Sequence, residues 1–438
     1  MMDQPKEHAM AVATERTPLD EWYQRAQAVM PAGTFGNFAG QTVLREGKAG
    51  RVSDEAGNEY VDFLIGSGPM LVGHCHPEVN AVVREQLERG TTFFANNAQG
   101  IELAEVICDA VACADKVRFA SSGTEADMYA MRLVRAFRGR EKILKFEGGY
   151  HGMSDHALMS LAPRRLANFP NPVPDSAGIT ESVRDSMLVA PFNDIDAAVK
   201  MISENADQLA GVIVEPLQRL MPPQPGFLEA LREATAKHDI PLIFDEVVTG
   251  FRLAYGGAQE AYGVVPDVCT LGKAIGGGFP LSAIAGRDDI MAHFDKTRVG
   301  DDDFMMQVGT LSGNPVAAAA GIKTLEILRR PGAYERAAAT GNALMQAIEE
   351  HFGATSIPFQ VVGHWSMFDI VFTGQPVHDY RAVFHADKAR LTRFNELLLE
   401  KGILKSDNKF YVSHAHDDAD VAQTVAAIKY AAEIMSRE

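Results

Sequence analysis

The chain has 438 residues, of which 46% are hydrophobic, and a formal net charge of −17 at pH 7. This length allows one large core and a smaller one, and the negative charge argues against nucleic acid and anionic membranes as partners. The four cysteines form no CxxC pair, and the chain shows neither a signal peptide nor an apolar run that could span a bilayer. We therefore predict a cytoplasmic protein with reduced thiols.

The N-terminal part is predicted to hold one helix and a small ribbon. Residues 1–16 are expected to be disordered, and a helix then begins at Pro18. Residues 43–65 favour an antiparallel ribbon, because short apolar runs flank a turn-forming segment. His74 and His76 flank a cysteine, but no third ligand lies nearby. A turn that opens a helix explains them better, and no metal site is predicted.

Strands alternate with helices from Val117 onward, which is typical of a parallel sheet covered by helices. A strand at 117–120 is followed by a glycine turn with three hydroxyl groups at 121–124, and Glu125 then starts an amphipathic helix. Backbone N–H groups and the helix dipole bind phosphate at such a junction. The same residue types also cap helices that bind nothing, so the turn alone does not decide between the two.

Further predicted strands lie at 142–146, 187–190 and 211–214, and the last of these ends in Glu215. The segment 162–179 is rich in proline and has no periodicity. Long irregular loops in compact domains are usually functional or disordered, so this one is predicted to border the mouth of a site.

The chemically most informative stretch runs from residue 241 to residue 280. A short apolar strand at 242–244 ends on Asp245, at the strand end where α/β proteins bind ligands. Lys273 follows the next apolar strand, 28 residues after Asp245, and precedes three glycines. Pyridoxal phosphate needs this pair: a lysine that forms a Schiff base and a carboxylate that keeps the pyridinium nitrogen protonated. Taken singly, the aspartate is as readily a helix cap and the lysine a solvated side chain.

With these residues in place, the chain resembles the class III pyridoxal-phosphate aminotransferases of fold type I, and within them the glutamate-1-semialdehyde 2,1-aminomutase branch. The motifs that carry the resemblance are SSGTEA at 121–126, KFEGGYHG at 145–152, VIVEP at 212–216, FDEVVTGFRLAYGGAQ at 244–259, LGKAIGGG at 271–278 and GTLSGNP at 309–315. The resemblance implies an α/β fold. Its large domain, at 71–330, would hold a mostly parallel seven-stranded sheet, and 17–70 with 331–438 would form a smaller α+β domain from both termini.

The resemblance also implies pyridoxal 5′-phosphate as the cofactor and assigns its main ligands. Lys273 would be the Schiff-base lysine, and Asp245 the partner of the pyridinium nitrogen. Ser122, Gly123 and Thr124 would hold the phosphate.

Five further residues match cofactor-site positions of the family. Tyr150 would stack on the ring with His151 beside it, and Val247 would pack on the opposite face. Glu215 would lie near the ring hydroxyl. Thr310 would reach the phosphate of the neighbouring subunit, which implies a homodimer with sites shared across its interface.

The chain departs from the aminomutases where they bind substrate. Residues 34–37 read TFGN and lack their arginine for the substrate carboxylate, and 404–409 replaces a longer loop that bears a glutamate. The segment after the Glu215 strand contains Arg219, the leading candidate for binding the carboxylate of a keto acid. Lys405 and Lys409 are further candidates, and a solvated surface position is the alternative for Arg219.

Three functions remain open from the sequence. The first is an aminotransferase that moves an amino group from an amine or an amino acid, including β- or ω-amino acids, to a keto acid. The second is an aminomutase, which performs both halves of the reaction on one molecule. The third, a non-catalytic binding protein, is disfavoured because Lys273 and Asp245 are both present.

Overall fold

The structure, a computed structural model, describes residues 18–37 and 42–438. The predicted disorder of residues 1–16 therefore lies outside the described residues. The strands of this part of the chain are β1 (Leu44–Lys48), β2 (Arg51–Asp54), β3 (Glu59–Asp62), β4 (Lys116–Ala120), β5 (Lys142–Phe146), β6 (Met187–Ala190), β7 (Leu209–Val214), β8 (Leu242–Glu246), β9 (Val268–Leu271), β10 (Ser282–Gly286), β11 (Gln360–His364), β12 (Met367–Val371), β13 (Ile403–Leu404) and β14 (Phe410–Tyr411).

Helices surround these strands. They are α1 (Pro18–Val29), α2 (Pro77–Leu87), α3 (Ala98–Ala110), α4 (Gly123–Arg138), α5 (Glu181–Asp185), α6 (Ile195–Glu204), α7 (Phe227–Lys237), α8 (Gly257–Tyr262), α9 (Asp288–Met291), α10 (Lys296–Val299), α11 (Pro315–Leu328), α12 (Ala333–Gly353), α13 (Tyr380–Phe384), α14 (Lys388–Glu400) and α15 (Asp418–Met435), with 3₁₀ turns at Pro31–Gly33, Lys273–Gly276 and Ala292–Phe294. None of the helices in the described ranges combines the length and the apolar character that crossing a bilayer requires.

A seven-stranded sheet with the order β4-β10-β9-β8-β7-β5-β6 forms the centre of the protein. All neighbours in it are parallel except β10, which runs antiparallel to β4 and to β9. The α/β class and the mostly parallel seven-stranded sheet are thus confirmed. Every residue of β7, β8 and β9 is buried, as expected for parallel strands covered by helices on both faces.

Strand β8 is longer than the sequence predicts. It continues through Asp245 and Glu246, which pair with Thr270 and Leu271 of β9. The prediction ended the strand before these acids, because carboxylates are unfavourable inside a sheet unless their oxygens find donors. In this structure the carboxylate oxygens of both residues find donors. Asp245 therefore belongs to the paired strands β8 and β9 and not to a loop.

A second core lies outside this sheet and draws on both ends of the chain. Strand β13 pairs in parallel with β3, so the sheet β1-β2-β3-β13 joins segments that are more than 300 residues apart. Phe63 packs there with residues of α12, α14 and α15, among them Phe352, Phe394 and Ile428. The domain boundaries after residues 70 and 330 stay a prediction.

The proline-rich segment 162–179 contains no helix or strand and lies against α13. Tyr380 donates from its hydroxyl to Pro163 O over 3.2 Å, and Arg381 donates to Ala167 O over 2.7 Å. Arg381 also forms an ion pair with the buried carboxylate of Glu147, with 2.7 Å between Nε and Oε2. This loop therefore connects the large sheet to the C-terminal part of the chain.

Candidate active site at the carboxyl end of the large sheet

Asp245 lies at the carboxyl end of β8, and only 4% of its surface is exposed. Its Oδ2 lies 2.8 Å from His151 Nδ1, and its Oδ1 accepts the Val247 N–H over 3.1 Å. With a proton on Nδ1, the other ring nitrogen, Nε2, is a buried acceptor that has no partner in the described residues. The carboxylate is thus fixed in orientation by two donors, and His151 presents an unused polar atom beside it.

Lys273 follows β9 at the same end of the sheet and begins a 3₁₀ turn with φ of 46°. Burial lowers the pKa of its ammonium, and the nearby charges of Lys409 and Arg252 act in the same direction. Gly68 packs on its side chain: a Cβ there would lie 3.3 Å from Lys273 Cδ and 3.0 Å from Arg252 Nη2. Lys273 is therefore held in a tight channel that favours its neutral amine.

The predicted phosphate turn forms the N-terminus of α4. Ser122 is its N-cap and forms a capping box with Glu125, whose carboxylate accepts from the Ser121 and Ser122 N–H groups. Gly123 and Thr124 open the helix, where N–H groups have no intrahelical acceptor, and no other acceptor contacts them in the described chain. These two N–H groups, with the dipole of a 16-residue helix, are suited to an anion.

Val247 connects the phosphate turn to the lysine. A Cβ at Gly123 would lie 2.9 Å from Val247 Cγ1, and one at Gly272, directly before Lys273, would lie 3.1 Å from the same atom. Both glycines are thus required by close contact with this side chain. The structure therefore places the α4 N-terminus and the residue before Lys273 against the same side chain, and the predicted roles of these residues stay a prediction.

Tyr150 and Glu215 form the next part of the site. Glu215 follows β7 and is buried, and its Oε2 accepts the Tyr150 N–H over 2.8 Å. Burial raises the pKa of Glu215, and the charge of Asp245 adds to this effect. The charges of Arg219 and His151 act in the opposite direction. Glu215 therefore belongs to one cluster of charged side chains with Asp245, Arg219 and His151.

Of the three cations predicted for a substrate carboxylate, two lie at this cluster. The Arg219 guanidinium lies over the Tyr150 ring, with 5.5 Å from Cζ to the ring centroid. Lys409 is buried, and burial together with the charge of Arg219 lowers its pKa to about 7. Neither side chain forms a salt bridge with any residue in the described ranges.

Lys405 differs from the other two, because its charge is already compensated. Its Nζ lies 2.8 Å from Asp369 Oδ2 in a pair that is almost fully buried, and it also donates to Ser406 O over 2.9 Å. Breaking a buried ion pair is strongly unfavourable. We therefore describe Lys405 as a structural residue and keep Arg219 and Lys409 as the carboxylate candidates.

Thr310 lies apart from the residues named so far. It is exposed in a loop that also exposes three apolar side chains, Met306, Val308 and Leu311. Within residues 18–37 and 42–438, no hydrogen bond joins Thr310 to the site. Its predicted role requires a second subunit.

Asp127 was missed by the sequence analysis. It lies on α4, 2% exposed, and accepts from Thr270 Oγ1 over 2.6 Å. Burial, followed by the charge of Asp245, raises the pKa of the Asp127 carboxyl well above its usual range. The sequence contained a signal, because Asp127 shares the buried helix face of Ala130 and Val134.

Arg252 was also missed. Its Nη2 donates to Gly68 O and its Nε donates to Val248 O over 2.9 Å, while Nη1 is buried without a partner in the described chain. Burial lowers the pKa of Arg252 to about 10. An arginine in a turn after a strand usually faces solvent, so the sequence offered no signal for its burial.

These residues fit pyridoxal phosphate. The α4 N-terminus offers free N–H groups for a phosphate, Asp245 offers a fixed carboxylate for a ring nitrogen, and Lys273 offers an amine with a lowered pKa. The unpartnered His151 Nε2 is a buried polar atom that a ligand would satisfy.

Comparisons with known proteins agree with this fit. The family model described as "Aminotransferase class-III" matches residues 36–428. An omega-transaminase from Sphaerobacter thermophilus is 34% identical, with a TM-score of 0.90 over 95% of this chain and 97% of that one. A transaminase with PLP bound is 29% identical, with a TM-score of 0.87 over 95% and 98%. A beta-phenylalanine aminotransferase from Variovorax paradoxus is 30% identical, with a TM-score of 0.83 over 93% and 92%.

The match to the family model covers most of the chain, and the similar structures extend over nearly all of it. The fold-type I architecture and the enzyme class predicted from the motifs are thereby confirmed, while the aminomutase branch stays a prediction. The chain belongs to the class III aminotransferases, and its cofactor is pyridoxal 5′-phosphate.

Proposed function

We propose that this enzyme moves an amino group from an amine or an amino acid, including β- and ω-amino acids, to a keto acid in two half-reactions. The observation that carries the proposal is the presence of two basic side chains without a salt bridge in the described residues, Arg219 and Lys409, beside the Glu215 and Tyr150 cluster. A keto acid needs a cation for its carboxylate, because a buried carboxylate without a partner is costly. An amine donor has no carboxylate and needs no cation. The two basic side chains therefore suit substrates that carry a carboxylate.

The residues of this chain divide the chemistry among them. Bound pyridoxal phosphate supplies an electron sink for the charge that develops on the substrate carbon. Lys273 Nζ would accept the proton of that carbon and deliver it to the cofactor, and burial favours this role because it lowers the pKa of the Lys273 ammonium. The Asp245 carboxylate would keep the ring nitrogen protonated as its counter-charge, and His151 keeps Asp245 in position.

Arg219→Ala tests the carboxylate role. Arginine binds a carboxylate through charge-assisted hydrogen bonds, which are worth about 1.5–3 kcal/mol. We expect the KM for pyruvate or 2-oxoglutarate to rise at least about tenfold, and the KM for an uncharged aldehyde acceptor to change much less. Steady-state kinetics with both acceptor classes measures the difference.

Arg165→Ala is the matched control, because Arg165 is an exposed arginine of the loop 162–179 with no ion pair in the described chain. It should behave as the unmodified enzyme. An equal rise for keto acids and aldehydes in Arg219→Ala would remove Arg219 from the substrate site. Efficient conversion of glutamate-1-semialdehyde to 5-aminolevulinate without an added acceptor would instead establish the aminomutase alternative.

We also propose a homodimer in which Thr310 serves the phosphate of the partner subunit. In support, the loop around Thr310 exposes 69% of Met306 and 61% of Val308, and the loop before α3 exposes 70% of Phe94. Asn97, the N-cap of α3, donates to Gly313 O over 2.8 Å and so joins the two loops. A joined apolar surface of this kind is typical of an interface between subunits.

Mixing two inactive variants tests the shared site. Lys273→Ala and Thr310→Ala chains should form some dimers in which one of the two sites carries both intact residues. Activity after subunit exchange should therefore exceed that of either parent. If exchange is verified by mass-tagged subunits and activity does not recover, Thr310 acts within its own subunit.

A further inference from the structure

A cavity of about 760 Å³ is lined at one end by Arg219 and Lys409 and extends away from the cofactor residues. It lies between the segment around Arg219 and the C-terminal part of the chain. Its size is within the range of ordinary ligand pockets, about 300–1,000 Å³. Lys273 and Asp245 do not line it, so it is a separate space adjoining the reaction site.

The walls of this cavity are mainly apolar. Representative lining residues are Ile370 of β12, Phe372 directly after β12, Val383 of α13, Leu391 of α14 and Leu404 of β13. Asp369 and Lys405 also line it, but their charges are paired with each other. The charges available to a ligand at the inner end are therefore those of Arg219 and Lys409.

The position of these cations relates the cavity to the reaction. Arg219 lines the cavity and also lies over the ring of Tyr150. The backbone N–H of Tyr150 donates to Glu215. Lys409 lines the cavity, and its charge also affects Lys273. A carboxylate between Arg219 and Lys409 would thus lie at the inner end of the cavity, with the reacting lysine on one side and the apolar walls on the other.

We propose that this cavity receives the apolar chain of a lipophilic amino acid or keto acid whose carboxylate pairs with Arg219 and Lys409. The inference rests on the proposed aminotransferase function and names its substrate class. Short acids such as pyruvate would use the cations alone, and acids with a long alkyl or arylalkyl chain would use the cations and the cavity together.

Unreactive straight-chain acids test this without turnover. Butanoate, hexanoate and octanoate should bind to the holoenzyme with affinity that rises along the series, measured by calorimetry. Each methylene that leaves water contributes about 0.8 kcal/mol, or roughly fourfold in affinity. Because part of the chain stays mobile, we expect octanoate to bind at least about tenfold more tightly than butanoate.

Leu391→Trp should fill the cavity and reduce octanoate binding to the level of butanoate. Ala389→Trp is the matched control, because Ala389 is exposed on the same helix and does not line the cavity. Val383→Trp narrows the cavity from α13 and replaces Leu391→Trp if that variant does not fold. Three results would overturn the proposal. They are equal affinity for the three acids, no binding of any acid, and a dependence on chain length that persists in both tryptophan variants.

Transamination of short amino acids, measured in parallel, separates this proposal from the function on which it rests. If short amino acids are transaminated but the affinity for the acids does not depend on chain length, only the proposal about the cavity is rejected. Chain-length-dependent binding without any transamination would reject the proposed function and leave the cavity as a binding site for lipophilic acids.

Discussion

Lys273→Ala is expected to abolish turnover while the protein still binds pyridoxal phosphate. In the proposed assignment, the variant loses the amine that would bond to the cofactor and the base that would move the substrate proton. A general base alone contributes about 10²–10⁴-fold, so we expect kcat to fall by at least about 10⁴-fold. Binding should persist, because the α4 N-terminus and Asp245 do not depend on the lysine.

The covalent link can be measured without activity. Borohydride treatment of the yellow holoenzyme should attach the cofactor irreversibly, and peptide mapping should locate it on Lys273. Lys200→Ala, which removes an exposed lysine of α6, should retain both the label and the activity. A label on another lysine, or no label in the unmodified enzyme, would show that Lys273 is misassigned.

The strands around this lysine were predictable because their signals are local. β5, β6, β7 and β9 are short apolar runs that end in turns, and parallel strands buried on both faces need little else. β10 was missed because its residues, SAIAG, are mostly small and lack the branched side chains that mark strands. Its antiparallel pairing with β4 and β9 is decided by tertiary contacts.

The site was only partly predictable, because charge pairing depends on distant segments. Lys405 and Lys409 are both candidates in the sequence, yet Lys405 forms an ion pair with Asp369 of β12, whereas Lys409 lies near the charge of Arg219 in the segment after β7. Arg252 is buried because Gly68 offers it a carbonyl across 184 residues. No local pattern reports such contacts.

Asp245→Asn should lower kcat at least about a hundredfold, which corresponds to about 2.7 kcal/mol on the barrier. Asparagine keeps the shape of the side chain but removes the charge that keeps a pyridinium nitrogen protonated. It also turns an NH₂ group towards one of two donors, the Val247 N–H or His151 Nδ1. Both changes weaken the electron sink of the cofactor. The first removes the charge opposite the ring nitrogen, and the second disturbs the position of the side chain that carries this charge.

Glu246 provides a control, because replacing it shows whether the loss of any buried carboxyl lowers kcat. Glu246 is the next residue of β8 and fully buried, but its side chain points to the other face and bonds with Thr249, Ala258 and Gln259. Burial raises the pKa of Glu246, and glutamine at this position leaves Asp245 and its contacts with His151 and Val247 in place. Glu246→Gln should stay within about tenfold of the unmodified kcat. Asp245→Asn with near-normal activity and an unchanged cofactor absorption spectrum would show that another group holds the ring nitrogen.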